Sequence, residues 1–379
     1  MKWPGLPLDG RVFSWMTGKS VRFTFATVLA LNARLCGHMC CLFCRSEENL
    51  TDEHVFPAFM GGELVVRNGS CKRCNGEFSV AEAALKKSTT HLLNLLQIEN
   101  RYGVVPNAPL NVEIRGLDLK KLPAFMDGKG EINLLNVVRE SVTEDGRKLR
   151  KGFFLRKEDG DRFAERALAK GGEVKGRDVP KEIVIEADYT IPLPFIQSFE
   201  ARKVAAKIAM TAIAFKYGIP FALSPQFDAF RKVCLAKAAQ DVRVWFFANE
   251  GFMSAHIRTA HQHSVMCYLS AGRRKGWALV TLFGGLSYLM EIAAEYTERE
   301  SKQFSIFYDA ASKKRVNPIV LADEMTLIGH VLSPATKFEN LEAVDEQWFP
   351  IVSAFCIQKG IEAQRIGEKK RETTYNSAS

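Results

Sequence analysis

The chain lacks any apolar run near the roughly 18–20 residues that a membrane-spanning helix needs, so a helical membrane protein is excluded. It has no internal repeat, which sets aside solenoid and propeller architectures. Gly284-Gly285 is not followed by Lys and Ser or Thr, so it is no phosphate loop. Nine cysteines in 379 residues show no pattern of a disulfide framework, and a reducing cytoplasm is the expected compartment. Acidic residues are the scarcer charge, 43 against 52 basic, and the net charge of +9 leans mildly towards polyanionic partners such as nucleic acid.

Four of the cysteines stand in two Cys-x-x-Cys pairs, Cys41/Cys44 and Cys71/Cys74. Zinc prefers a tetrahedron of thiolates, and each pair can converge two sulfurs on one ion. Two pairs complete four ligands and leave no open position, so the expected zinc is structural. Cys40 can replace Cys41 through a Cys-x-x-x-Cys spacing. A redox role would need only one pair in a strand–helix setting.

Between the pairs lie Asp52-Glu53-His54, Pro57, Gly61-Gly62 and Asn68, and Asn75 follows the last cysteine. A lone histidine is more often a surface or core residue than a base. The ordered set Glu-His, Asn, Cys-x-x-Cys-Asn carries more information. Phosphodiester hydrolysis needs a base for water, and neutral imidazole suits that near pH 7. It also needs a cation at the phosphate and the leaving oxygen. Glu53 and Asn75 offer hard oxygens that suit Mg²⁺ or Mn²⁺ better than zinc. Asn68 can bond a backbone carbonyl or orient the His54 ring.

These residues resemble the HNH endonucleases, also called His-Me finger or ββα-metal nucleases. The layout is most similar to the zinc-braced recombination endonuclease VII type. The resemblance covers about 40 residues, Cys41 to Asn75 with the helix start, and is silent elsewhere. It implies a β-hairpin followed by a helix, with one catalytic metal in the crook. It places the general base on His54, the steadying Asn on Asn68, and the metal ligands on Glu53 and Asn75. Glu stands where Asp is commoner, so Asp52 is an alternative oxygen donor. Asn stands where the family's last letter is His.

The surrounding pattern fits that order. Thr51 to Phe56 is β-prone, Gly61-Gly62 marks a turn, and Glu63 to Arg67 reads as the return strand. From Asn75 the chain reads as helix, with Phe78, Ala81, Leu85, Leu92 and Leu95 near helical spacing. Ser79 with Glu82 looks like a capping box and predicts a start near Ser79 or slightly earlier. Further on, residues 111–115 and 182–187 are strand-like, and Asp145-Gly146 turns a basic hairpin. Residues 198–217 form the clearest helix, with Gly218 at its end. Its Arg202, Lys203 and Lys207 are expected on a solvated polar face. Strands are predicted over 242–247, 264–270, 277–283, 287–292 and 304–308, with a turn at Phe283-Gly284-Gly285. His256, His261 and His263 lie close in sequence but without the Cys or carboxylate pattern of a second metal site.

The expected fold class is α+β: a small zinc-braced ββα-metal nuclease module plus a larger mixed α+β domain. The module spans 39–97, the larger domain 98–363, and a polar tail 364–379. Residues 1–38 read as an N-terminal extension. Their apolar stretch 23–31 superficially resembles a signal peptide but lacks a clean cleavage site. Met39 as the true start is the alternative.

The leading expectation is a metal-dependent endonuclease cutting DNA phosphodiesters, with DNA favoured over RNA as partner and no membrane. One version is a gated phage-defence effector whose larger domain restrains the site. That domain is otherwise expected to position substrate or mediate self-association, including a homo-oligomer. The alternative is a non-catalytic zinc-containing nucleic-acid-binding protein.

Overall fold

The computed structural model describes residues 13–14, 20–21, 40–114, 122–146, 148–154, 157–174, 185–187, 193–248, 259–316 and 336–358. The expectations for residues 23–31, His256 and the polar tail fall outside these. Strands β1 (Phe13–Ser14) and β2 (Ser20–Val21) form a two-residue antiparallel pair.

The module follows. Strand β3 (Leu50–His54) pairs antiparallel with β4 (Val65–Cys71), with Thr51 opposite Ser70 and His54 opposite Val65. Between Thr51 and Glu53 the register shifts, because β4 carries extra residues there. Asn68 takes a positive φ of 55° in this bulge, and Asp52 Oδ1 accepts its backbone N–H at 3.0 Å. Asn is one of the few side chains that tolerate that conformation. Next to it, a Cβ on Gly69 would lie 3.1 Å from both Glu53 Cβ and Val66 Cγ1, so glycine lets the strands close on Glu53. The return strand therefore starts later than residue 63 and runs on into Cys71.

Helix α1 (Lys72–Leu95) begins at once. The Cys71 sulfur caps it by accepting the Cys74 N–H at 3.5 Å. The predicted start near Ser79 is thus corrected by about two turns. Ser79 lies inside the helix, where its hydroxyl donates back to the Asn75 carbonyl at 2.8 Å. Phe78, Ala81, Leu85 and Leu92 form the buried stripe as expected.

Strands β5 (Ala108–Ile114), β6 (Leu122–Met126), β7 (Ile132–Leu134) and β10 (Ile185–Ala187) make a small antiparallel sheet in the order β10-β5-β6-β7. It has its own minor core of Leu110, Val112, Leu122, Ala124 and Leu134. Strands β8 (Val137–Val142) and β9 (Lys148–Phe153) form the basic hairpin, turning through Gly146 at φ 79°. Helix α2 (Lys157–Leu168) follows.

Helix α3 (Phe199–Tyr217) is the centre of the molecule. Ser198 caps it, with its oxygen accepting the Ala201 N–H at 3.1 Å. Every residue from Lys203 to Ala214 is buried, as in a helix covered on all sides. It packs on α1 and the β3–β4 hairpin, and also on the main sheet. The alanines at 201, 205, 206, 209 and 212 keep it slim between those layers. This corrects the solvated polar face. Lys203 is 5% exposed and donates to the Ala236 carbonyl at 2.9 Å, and Lys207 is 1% exposed. Arg202 donates to the Val244 carbonyl at 2.6 Å and pairs with Glu339 at 2.5 Å. Short helices α4 (Ile219–Ala222) and α5 (Asp228–Cys234) continue the chain.

The main sheet has seven antiparallel strands. They are β11 (Val244–Ala248), β12 (Gln262–Ser270), β13 (Lys275–Leu282), β14 (Leu286–Ala293), β15 (Lys302–Asp309), β16 (Lys314–Val316) and β17 (Lys337–Phe338). Their order is β16-β15-β12-β13-β14-β11-β17. The five predicted strands are all present, and Phe283 and Gly284 turn the chain with φ of 50° and 72°. Helix α6 (Leu341–Gln358) packs against β11, and its Trp348 donates to the Phe283 carbonyl at 2.7 Å. No helix is long and apolar enough to cross a membrane among the described residues.

One hydrophobic core runs from Cys41 to Ile98 and from Phe195 to Cys356. The main sheet also supports the loop after His54. Phe56 stacks on Tyr308 at 5.7 Å, and the Tyr308 hydroxyl donates to the Gly61 carbonyl at 2.7 Å. His261 is bonded to the Leu96 carbonyl at 2.7 Å.

His263 is fully buried between Phe56 and Phe283, and its Nδ1 accepts the Phe283 N–H at 3.1 Å. Burial pushes its imidazole down to about 4, against a partial offset from the Met60 backbone. The folded chain keeps it neutral while the unfolded chain protonates it near its ordinary value of about 6.5. Stability from this group is full above about pH 6.5 and falls by about 3 kcal/mol as pH drops towards 4. Thermal midpoints across that range should fall more steeply for the wild type than for His263→Leu. Equal slopes would exclude the effect.

Candidate active site

The four cysteines meet. The Sγ atoms of Cys41, Cys44, Cys71 and Cys74 all lie within 4.8 Å of one another, and Cys44 and Cys71 are 3.5 Å apart. Tetrahedral zinc at about 2.3 Å from each sulfur sets them about 3.8 Å apart, so the cluster could hold that ion. It is the one such group among the described residues, and Cys41 rather than Cys40 belongs to it. The turn closes locally, with Arg45 N–H on the Cys41 carbonyl at 2.9 Å and Cys41 N–H on the Ser46 carbonyl at 2.7 Å. A hydrogen bond from Cys74 pulls Cys41 down to about 4, and the same contact pushes Cys74 up.

The cluster ties the turn ahead of β3 to the end of β4 and the first turn of α1. Beside it α1 meets β3 through Asn75 and Thr51, and Glu53 and His54 close that strand. His54 ends β3, half-buried, with Nδ1 enclosed and unpartnered. Burial and the Lys207 ammonium hold its imidazole below the ordinary value, and the Gly62 backbone works the other way. It is therefore neutral at pH 7. Asn75, on the first turns of α1, donates from Nδ2 to Thr51 Oγ1 at 3.0 Å. Its Oδ1 receives only a long contact from Ser79 Oγ at 3.5 Å.

Glu53 points between the hairpin and the helices. Its Oε1 lies 2.5 Å from Lys207 Nζ, which also reaches Glu82 Oε1 at 2.6 Å. Its Oε2 is buried without a close hydrogen-bond partner, although the Ser70 hydroxyl bears on the same carboxyl. Burial pushes the Glu53 carboxyl up, against the pull of Lys207 and of the Ser70 hydroxyl. Burial also works against the Lys207 ammonium, but Glu53 and Glu82 outweigh it and hold the lysine charged.

Sequence reasoning missed Lys207 and Glu82, which lie 125 residues apart. One signal was available: Lys207 sits in Ala-Ala-Lys-Ile-Ala-Met, and a charge set in such apolar surroundings is buried only with a partner.

Residues 41–89 match the family model described as HNH endonuclease. The match places an HNH endonuclease domain there. It covers the cysteine cluster, the hairpin and most of α1, and it suggests nuclease activity on nucleic acid. No curated protein and no solved structure matches the chain. The HNH domain thus accounts for the crook, and the helix that supplies Lys207 lies outside it.

Proposed function

We propose that the chain is a metal-dependent endonuclease that hydrolyses phosphodiester bonds in DNA. The observation that carries this reading is the pairing, on adjacent residues of β3, of a neutral imidazole with a carboxylate whose Oε2 is buried and bare. An orphaned carboxylate oxygen in a buried crook is costly, and an oxygen-seeking cation would satisfy it. Glu53 Oε2 and Asn75 Oδ1 would hold Mg²⁺ or Mn²⁺, whose charge would stabilise the phosphate and the leaving oxygen. His54 would take the proton from the attacking water. The Asn68 bulge, tied to Asp52, would shape the strand opposite. Zinc on Cys41, Cys44, Cys71 and Cys74 would brace these parts without touching the reaction.

The test is cleavage of supercoiled plasmid, linear duplex, single-stranded DNA and RNA with Mg²⁺ or Mn²⁺, against EDTA. Metal-dependent cutting that favours DNA is the expected result. Binding without cutting under every metal would favour the non-catalytic nucleic-acid-binding alternative. The packing of α3 on the module also bears on gating. A phage-defence effector held off by the larger part would cut only after a nucleotide ligand or cell extract is added.

A further inference from the structure

The buried ion cluster has an unbalanced composition. One ammonium faces two carboxylates, and one carboxylate oxygen is left bare. Buried ion pairs are often replaceable by apolar residues with no loss of stability. Lys203, one turn earlier, is also a buried lysine, but it donates to a backbone carbonyl, whereas Lys207 joins two carboxylates from different elements. Glu53 Oε2 is the one carboxylate oxygen so enclosed without a close partner among the described residues, at a cost of about 1–3 kcal/mol. The bare oxygen belongs to Glu53 and not to the lysine's other partner, Glu82, and Glu53 is the residue beside His54.

We infer that Lys207 is a positioning residue of the nuclease site. It grips Glu53 by Oε1, fixes the side chain's rotamer, and leaves Oε2 as the single face turned to the divalent cation. Glu82 in turn fixes Lys207 from α1. The catalytic centre is then composite, completed by a helix outside the HNH domain. Outer partners of metal-binding carboxylates typically contribute about 10–100-fold to metal affinity. The inference rests on the proposed nuclease reading and deepens it.

The probe is Mn²⁺ alone, titrated into zinc-loaded full-length protein and followed by the EPR signal of the free ion. Lys207→Met should weaken Mn²⁺ binding by about 10–100-fold with zinc content unchanged. Because that variant leaves two carboxylates facing each other, the double variant Lys207→Met/Glu82→Leu removes the repulsion and should show the same weakening. Glu82→Gln, which keeps a neutral acceptor for Lys207 and the Lys207–Glu53 contact, should weaken Mn²⁺ binding by less than Lys207→Met does. A folded, zinc-loaded variant lacking Lys207 that binds Mn²⁺ equally well or more tightly overturns the inference. The tighter outcome would make Lys207 a competitor of the cation. A wild type that neither binds Mn²⁺ nor cuts would remove the nuclease reading itself, and this inference with it.

Discussion

His54→Ala is expected to lower cleavage by about 10²–10⁴-fold, the usual contribution of a positioned general base. Zinc content and fold should survive. The reason lies in how little the fold asks of this side chain. His54 ends its strand, is only half-buried, and engages no partner through Nδ1. The residues that anchor the same loop are different ones: Val55 and Phe56 in the core, and Gly61 on the Tyr308 hydroxyl. Removing the imidazole therefore takes away a proton acceptor and little packing. Single-turnover cleavage at saturating Mn²⁺, with zinc content and circular dichroism measured alongside, separates the two effects. Undiminished cleavage would remove His54 from the reaction. A variant that loses zinc as well would mean the side chain is structural.

Local chemistry made most of the second half readable. The run Ser264–Ser270 and its neighbours are rich in β-branched and aromatic residues, and Phe283-Gly284-Gly285 supplies the positive φ that a tight turn requires. The two Cys-x-x-Cys pairs were equally local, because each turn converges its own sulfurs. The start of α1 misled for a physical reason. Ser79 and Glu82 imitate a cap by spacing, while the true cap is the Cys71 sulfur, which sequence statistics seldom place there. Lys207 was hidden for another reason. Its partners are decided by how α3 settles between the module and the sheet, and no periodicity within residues 198–217 reports that. The loop after His54 likewise depends on Tyr308, 247 residues from Gly61. Signals of period and turn stop at the element, and the supports of the site come from beyond it.

Cys41→Ser should lose zinc and melt the module, whereas Cys40→Ser should keep both. The contrast is sharp because the two residues are neighbours. Cys41 is 0% exposed and its sulfur belongs to the cluster, while Cys40 is half-buried and stands outside it. Structural zinc in small modules supplies about 10–16 kcal/mol of binding energy that is in effect folding energy. The helix and the loop after His54 share the main core with α3 and the sheet, but the turn that carries the first pair has chiefly Leu42 and Phe43, with Phe43 on Phe78 at 4.5 Å, so the loss falls there first. Without the ion, four thiols remain packed together, and ionising one penalises the rest. The damage should also spread. Arg45, next to the first pair, binds Asp228 at 2.7 Å and the Leu223 carbonyl at 3.1 Å, so the turn is part of the contact with α4 and α5. Cleavage should fall with the zinc, because β3 and α1 would no longer be held together where Asn75 reaches Thr51. Zinc release measured with a chromogenic chelator, alongside the thermal midpoint, decides the matter. Full zinc content in Cys41→Ser, or its loss in Cys40→Ser, would show that the ion is held by a different set of sulfurs.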